Sequence, residues 1–84
     1  MDSYIESGIR RAILKKLFRH RIIGGKHVSI RNAIKGFPPY LLKNAKRQVI
    51  YLIKKNFLIA KPSTGEVHVS LNTRKLKEIE EIVR

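Results

Sequence analysis

The chain has 84 residues, 43% of them hydrophobic, and carries a formal net charge of +13. One domain of this length buries about 60% of its unfolded surface, and because the sequence contains no cysteine, disulfides and thiolate metal sites are excluded. No apolar run approaches the ~18 residues of a membrane span, and the acidic start, with Asp2 and Glu6, is unlike a signal peptide. We therefore expect one soluble, cytoplasmic domain.

The first predicted element is a helix from Tyr4 to about His20. Gly24-Gly25 ends this element, because glycine accepts the positive φ with which helices commonly finish. The residues around Val28 suffice for a strand of only one or two residues. The apolar residues of the helix recur at helical spacing and define one broad face: Ile5, Ile9, Ala12, Ile13 and Leu17.

A second, short helix is predicted after this strand. Ser29 is positioned to cap it, and Gly36 closes it after two turns. Its apolar face consists of Ile30, Ala33 and Ile34.

The third helix follows Phe37-Pro38-Pro39 and extends to about residue 55. A residue before proline is forced out of the α region, so the second helix cannot continue across this segment. Proline suits a first helical turn, and with Pro38 at the cap, Phe37 and Leu42 have the spacing of a hydrophobic staple. The face predicted to be buried comprises Leu42, Ala45, Val49, Leu52 and Ile53, with Leu41 at its edge.

The remainder of the chain predicts a β-hairpin and a final helix. Residues 57–61 are strand-like in composition, and residues 67–71 alternate apolar and polar side chains after a glycine-containing turn. Asn72 or Thr73 caps the last helix. Its apolar residues either return to the core or contact a second copy in a homodimer: Leu76, Ile79, Ile82 and Val83.

This order of elements predicts an α+β fold, a winged helix-turn-helix, in a single domain spanning residues 1–84. The sequence contains Gly24-Gly25-Lys26-His27, Lys35-Gly36-Phe37-Pro38 and Val69-Ser70-Leu71-Asn72. Through these segments it resembles the winged-helix DNA-binding superfamily along nearly its whole length, and small archaeal members in particular. The resemblance implies that helix 38–55 lies in a major groove and that hairpin 57–71 contacts the flanking backbone as a wing.

The distribution of charge indicates the class of partner. Between Ser7 and Gly65 there is no acid, whereas the same 59 residues contain 15 lysines and arginines. Exposed helix faces normally mix the two signs, so a domain that accepts this self-repulsion is typical of proteins that bind a polyanion. Since the chain also lacks tryptophan, a membrane surface is the weaker alternative, and nucleic acid is the expected partner.

The outward face of the third helix provides the predicted base-reading residues. Arginine can bind guanine through two hydrogen bonds, and asparagine or glutamine can bind adenine in the same way. The face contains no acid, which an ordinary solvated helix face does not explain. The predicted recognition residues are Tyr40, Lys43, Asn44, Arg47, Gln48 and Tyr51, with Lys54 on the same face.

A second group of residues is predicted to contact phosphate groups. These residues lie on the second helix, on the two sides of the outward face of the third helix, and at or near the hairpin tip. Glu66 beside the tip argues against deep insertion into a minor groove. The basic cluster from Arg10 to Arg21 either extends this surface or serves solubility. The predicted phosphate contacts are Arg31, Lys35, Lys46, Lys54, Lys55, Lys61, Ser63 and Thr64.

Catalysis has little support, and we expect neither an enzyme nor a cofactor. Nucleases and hydrolases need clustered carboxylates or a nucleophile with a base, and the middle of the sequence has no acid. His20, His27 and His68 could offer three nitrogens to zinc, but their irregular spacing and the missing fourth ligand argue against a metal site. Gly24-Gly25-Lys26 lacks the spacing of a phosphate-binding loop and is interpreted as a turn.

Three functions are compatible with these features. The leading hypothesis is a double-stranded DNA-binding protein, either a transcription regulator or a chromatin-type factor associated with the nucleoid. An RNA- or ribosome-associated winged helix is the second, although few aromatic residues and no RNP-like motif disfavour stacking on single strands. A protein-interaction module without nucleic acid is the third, and the charge disfavours it.

Overall fold

A computed structural model describes residues 3–84, so that Asp2 lies outside the described range. Within this range four α-helices and a three-stranded antiparallel sheet form a small α+β fold. The helices are α1 (Tyr4–Arg19), α2 (Ile30–Ala33), α3 (Leu42–Lys54) and α4 (Leu76–Val83). The strands are β1 (Val28–Ser29), β2 (Leu58–Ser63) and β3 (Glu66–Leu71), and the 3-10 turns Pro39–Leu41 and Thr73–Lys75 precede α3 and α4.

The sheet places β3 between β1 and β2, and both neighbours are antiparallel to it. β2 and β3 pair from Leu58↔Leu71 to Ser63↔Glu66, which leaves only Thr64 and Gly65 to connect them. Gly65 has a φ of 72°, a left-handed conformation that glycine adopts without a steric cost. The predicted hairpin is therefore confirmed, and so is the two-residue strand at Val28.

α1 provides the centre of the core through four buried residues, Ile9, Ile13, Leu14 and Leu17. Two members of the predicted face, Ile5 and Ala12, are exposed instead. Both α3 and α4 contact α1. The buried face of α1 is therefore wider than the sequence pattern indicates, and it includes Leu14.

α1 ends at Arg19, within one residue of the predicted end near His20, but Gly24-Gly25 does not end it. Arg21 instead adopts the positive φ, 56°, that follows a helix terminus. Two hydrogen bonds close this terminus, from the Arg21 N–H to the Phe18 carbonyl at 3.1 Å and from the Ile22 N–H to the Leu17 carbonyl at 2.9 Å. Burial of Ile22 stabilises this ending, although arginine is a costlier residue than glycine in that conformation.

The start of α2 confirms the predicted Ser29 cap, and the start of α3 corrects the predicted burial of Leu42. The Ser29 hydroxyl accepts a hydrogen bond from the Asn32 N–H at 3.1 Å, as predicted, although α2 forms one turn rather than two. Leu41 packs against the core, whereas Leu42 is 37% exposed, so its predicted place in the core was wrong, while its staple with Phe37 stays a prediction. The buried residues of α3 are centred on a different side of the helix from Leu42.

α4 returns to the core of its own domain. Ile79 is fully buried, Leu76 and Val83 pack at the edge of the core, and Ile82 is 39% exposed. One of the two predicted uses of this helix is thereby observed, and a homodimer stays a prediction. Among the helices of residues 3–84, none is both long and apolar enough to cross a membrane.

Candidate nucleic-acid interface

The buried side of α3 determines which of its side chains face outward. At about 100° per residue, the centre of the buried side is turned by roughly 40° from the predicted centre, away from Leu42 and towards Gln48. Ile50 therefore faces outward, and Gln48 does not. The buried residues of α3 are Ala45, Gln48, Val49 and Leu52.

Gln48 was expected beside the outward face, but its side chain is only 5% exposed and is fully engaged. Its Oε1 accepts a hydrogen bond of 2.7 Å from Nη1 of Arg10, which lies 38 residues earlier in the chain. Its Nε2 donates to Asn44 Oδ1 at 3.0 Å and to Glu6 Oε2 at 3.4 Å. Gln48 thus joins α1 to α3, and Asn44, a second predicted base-reading residue, is half-buried and bonded to it.

The outward face of α3 keeps the other predicted recognition residues. Lys46 and Tyr51 flank its centre, and the guanidinium carbon of Arg10 lies 4.4 Å from the centroid of the Tyr51 ring. Tyr40 lies in the preceding 3-10 turn and is almost entirely exposed. The centre of the face, which we call the α3 face, consists of four exposed residues spaced three or four apart: Lys43, Arg47, Ile50 and Lys54. Ile50 was not among the residues predicted for this face, although its spacing from Lys43, Arg47 and Lys54 was sufficient to place it there.

A groove separates α2 and α3 from the hairpin and brings two predicted phosphate contacts, Arg31 and Lys46, to one cavity. Glu66 lies at this groove, with its carboxylate 3.9 Å from Arg31 Nη2 and 3.8 Å from His68 Nε2. The Arg31–Glu66 pair is exposed, so it contributes at most about 1 kcal/mol. Lys46 lines the groove and also flanks the α3 face, so it connects the two surfaces.

The hairpin tip differs from its predicted form in the position of Lys61. This residue lies within β2, opposite His68, and its Nζ donates a 2.6 Å hydrogen bond to the Gly24 carbonyl. Its ammonium group is therefore turned towards the loop that follows α1, in contrast to the predicted place near the tip. The residues nearest the tip are Ser63, which is half-buried, and Thr64, which is exposed.

Three cations of α1 hold other elements in place. Arg10 binds Gln48, and Arg11 donates through Nε to the Ile82 carbonyl at 3.0 Å and through Nη2 to the Arg84 carbonyl at 3.1 Å. Lys16 Nζ donates to the carbonyls of Asn32, at 2.7 Å, and Lys35, at 2.9 Å. Burial lowers the pKa of Lys16, and the nearby charge of Lys35 lowers that pKa further. These residues of the basic cluster therefore serve the fold.

Lys35 follows the end of α2 and does not share a surface with Arg31. It lines a cleft together with Lys16, His20 and Lys26, whereas Arg31 lines the groove beside the hairpin. The two phosphate contacts predicted for the second helix therefore lie at two different surfaces.

Only two of the three histidines come together. The Nδ1 atoms of His27 and His68 are 2.8 Å apart, a hydrogen bond in which one ring donates and the other accepts, while His20 lines the cleft. Within residues 3–84 no three side chains of the types that bind metals are grouped.

Among the residues that the structure describes, Glu66 is the one acid at the α3 face and the groove. The two surfaces together present five exposed cations: Arg31, Lys43, Lys46, Arg47 and Lys54. Such a surface attracts anions, and its guanidinium and ammonium groups suit phosphate oxygens and base edges.

The chain was compared with protein-family models, with curated proteins and with solved structures, and it matches none of them.

Proposed function

We propose that this protein is a winged-helix domain that binds double-stranded DNA, with α3 in the major groove and the β2–β3 hairpin on the neighbouring backbone. The observation that carries the proposal is the α3 face, on which three exposed cations surround one isoleucine without any acid. An α-helix fits the width of the major groove of B-form DNA, where arginine and lysine find guanine acceptors and phosphates lie on both sides.

The arrangement of the other elements supports the same proposal. β1 and the β2–β3 hairpin form one sheet of order β1-β3-β2, and β2 contacts α3. Arg31 and Lys46 line the groove between hairpin and helices, where they can follow a phosphate backbone. A transcription regulator or a chromatin-associated factor is the role that such a binder would have.

The test is the affinity for duplex DNA, duplex RNA and single strands, measured by fluorescence anisotropy at several salt concentrations. We expect the strongest binding to duplex DNA, with log K falling linearly against log salt at roughly −0.9 for each neutralised phosphate. A slope near zero, or tighter binding to RNA hairpins at equal salt, would overturn the proposal.

A pair of charge-matched variants separates the α3 face from net charge alone. Lys43→Gln/Arg47→Gln removes two cations from the α3 face, and Lys15→Gln/Arg19→Gln removes two exposed cations from the side of α1 that lies beside Glu80 of α4. Only the first variant is expected to lose most of the affinity for duplex DNA. Equal losses would show that the charge of the whole molecule, rather than α3, determines binding.

A further inference from the structure

Ile50 has an unusual position for an exposed apolar side chain. Ile50 is 44% exposed, and a single exposed isoleucine is in itself common. What is unusual is the set of residues around it, which follows from helical spacing because residues three and four positions apart on a helix are neighbours. By that spacing the neighbours of Ile50 are the half-buried Ile53 and three exposed cations, Lys46, Arg47 and Lys54, while Lys43 lies two turns before Ile50 on the same face.

The cations restrict what can cover Ile50. A second copy of the chain that met this face symmetrically would bring the cations Lys43, Arg47 and Lys54 of one copy against the same set on the other, and like charges in contact are unfavourable. A membrane surface would require a broad apolar face, whereas the centre of the α3 face holds three cations and one isoleucine. The ligand that best suits this face is a polyanion that also presents an isolated apolar group.

Duplex DNA has such a group in its major groove. The edges of the bases are polar there except for the C5-methyl group of thymine, which apolar side chains contact. Resting on the proposed function, we infer that Ile50 contacts a thymine methyl group and makes the α3 face selective for thymine-containing DNA. RNA carries uracil without this methyl group, and its deep, narrow major groove does not admit side chains. Ile50 is thus assigned a role in distinguishing DNA from RNA as well as one base from another.

The experiment removes the methyl group without changing base pairing. A preferred duplex is selected from a random pool, and each thymine in turn is replaced by deoxyuridine. For the natural protein, we expect one or two of these replacements to weaken binding by about fourfold, the factor expected for one buried methyl-sized group. For Ile50→Ala the same replacements should have no effect, so that the two changes are coupled rather than additive.

Ile82→Ala is the matched control, since Ile82 is exposed to a similar degree, 39%, but lies on α4. This variant should keep the full response to deoxyuridine, and melting curves of both variants should match the natural protein. The inference is overturned if the natural protein binds the duplex with its usual salt slope but does not respond to deoxyuridine, or if Ile50→Ala responds equally. Failure of the proposed function has a different signature, namely no preference for duplex DNA at any salt concentration.

Discussion

Lys54 and Lys61 are separated by only seven positions but have different surroundings. Lys54 is exposed on the α3 face, where its ammonium group can reach a phosphate. Lys61 is half-buried and binds the Gly24 carbonyl at 2.6 Å, which ties β2 to the loop after α1. Two side chains of the same type therefore differ in availability, because Lys54 is free to meet a ligand and Lys61 is held by the fold.

We expect Lys61→Met to lower the free energy of unfolding by about 1 kcal/mol, or Tm by about 4–8 °C, because the Gly24 carbonyl loses its donor. The slope of log K against log salt for duplex DNA should not change. Lys54→Met should show the opposite pattern, with an unchanged Tm and a slope reduced by about 0.9. A reduced slope with an unchanged Tm for Lys61→Met would indicate that this side chain contacts phosphate.

Arg47 is the exposed residue of α3 best suited to bind guanine, because its guanidinium can donate two parallel hydrogen bonds. Arg47→Ala should cost about 1–3 kcal/mol of binding free energy at a preferred duplex and reduce the preference over other sequences. Affinities for a selected and a scrambled duplex provide the measurement, and the Tm should not change. An equal loss on both duplexes would mean that α3 contacts the backbone without reading bases.

At the scale of elements, cationic side chains of α1 form hydrogen bonds that join it to the other three helices. Arg10 reaches α3 through Gln48, Lys16 reaches the carbonyls at the end of α2, and Arg11 reaches those at the end of α4. Cations at a helix C-terminus satisfy carbonyls that have no partner within the helix and interact favourably with the helix dipole. The positive charge of α1 is therefore partly explained by the packing of neighbouring helices.

Arg11→Met tests this interpretation for α4. We expect a loss of about 0.5–1 kcal/mol in the free energy of unfolding, because the last carbonyls of α4 lose a charged donor. Amide hydrogen exchange should become faster in α4, while affinity for duplex DNA falls no more than for the control Lys15→Met. Unchanged exchange in α4 would show that Arg11 does not hold this helix end.

At the scale of the whole molecule, the net charge of +13 affects folding and binding in opposite directions. Self-repulsion among cations destabilises the compact state, whereas the same field attracts a polyanion. Raising salt from about 0.1 M to about 1 M shortens the Debye length from about 10 Å to about 3 Å.

Over this range we expect Tm to rise because repulsion between cations is screened, while affinity for DNA falls because counterion release becomes less favourable. Thermal melts and binding isotherms in the same buffers provide the measurement. Lys15→Gln/Arg19→Gln, which lowers the net charge from +13 to +11, should show a smaller rise in Tm. A Tm that falls as salt rises would contradict the role assigned to repulsion.

The sequence by itself determined the order and type of the elements, because these follow from local causes: the spacing of apolar residues, the Ser29 cap, the proline boundary and the glycine of the hairpin turn. It also determined that the middle of the chain is strongly cationic. Only the tertiary structure decided which cations are available to a ligand. Lys61 turns to Gly24, and Gln48 is buried by a partner 38 residues away, so neither contact is visible in helical spacing. The same packing determined which side of α3 is buried, because the orientation of a helix is set by the elements that contact it.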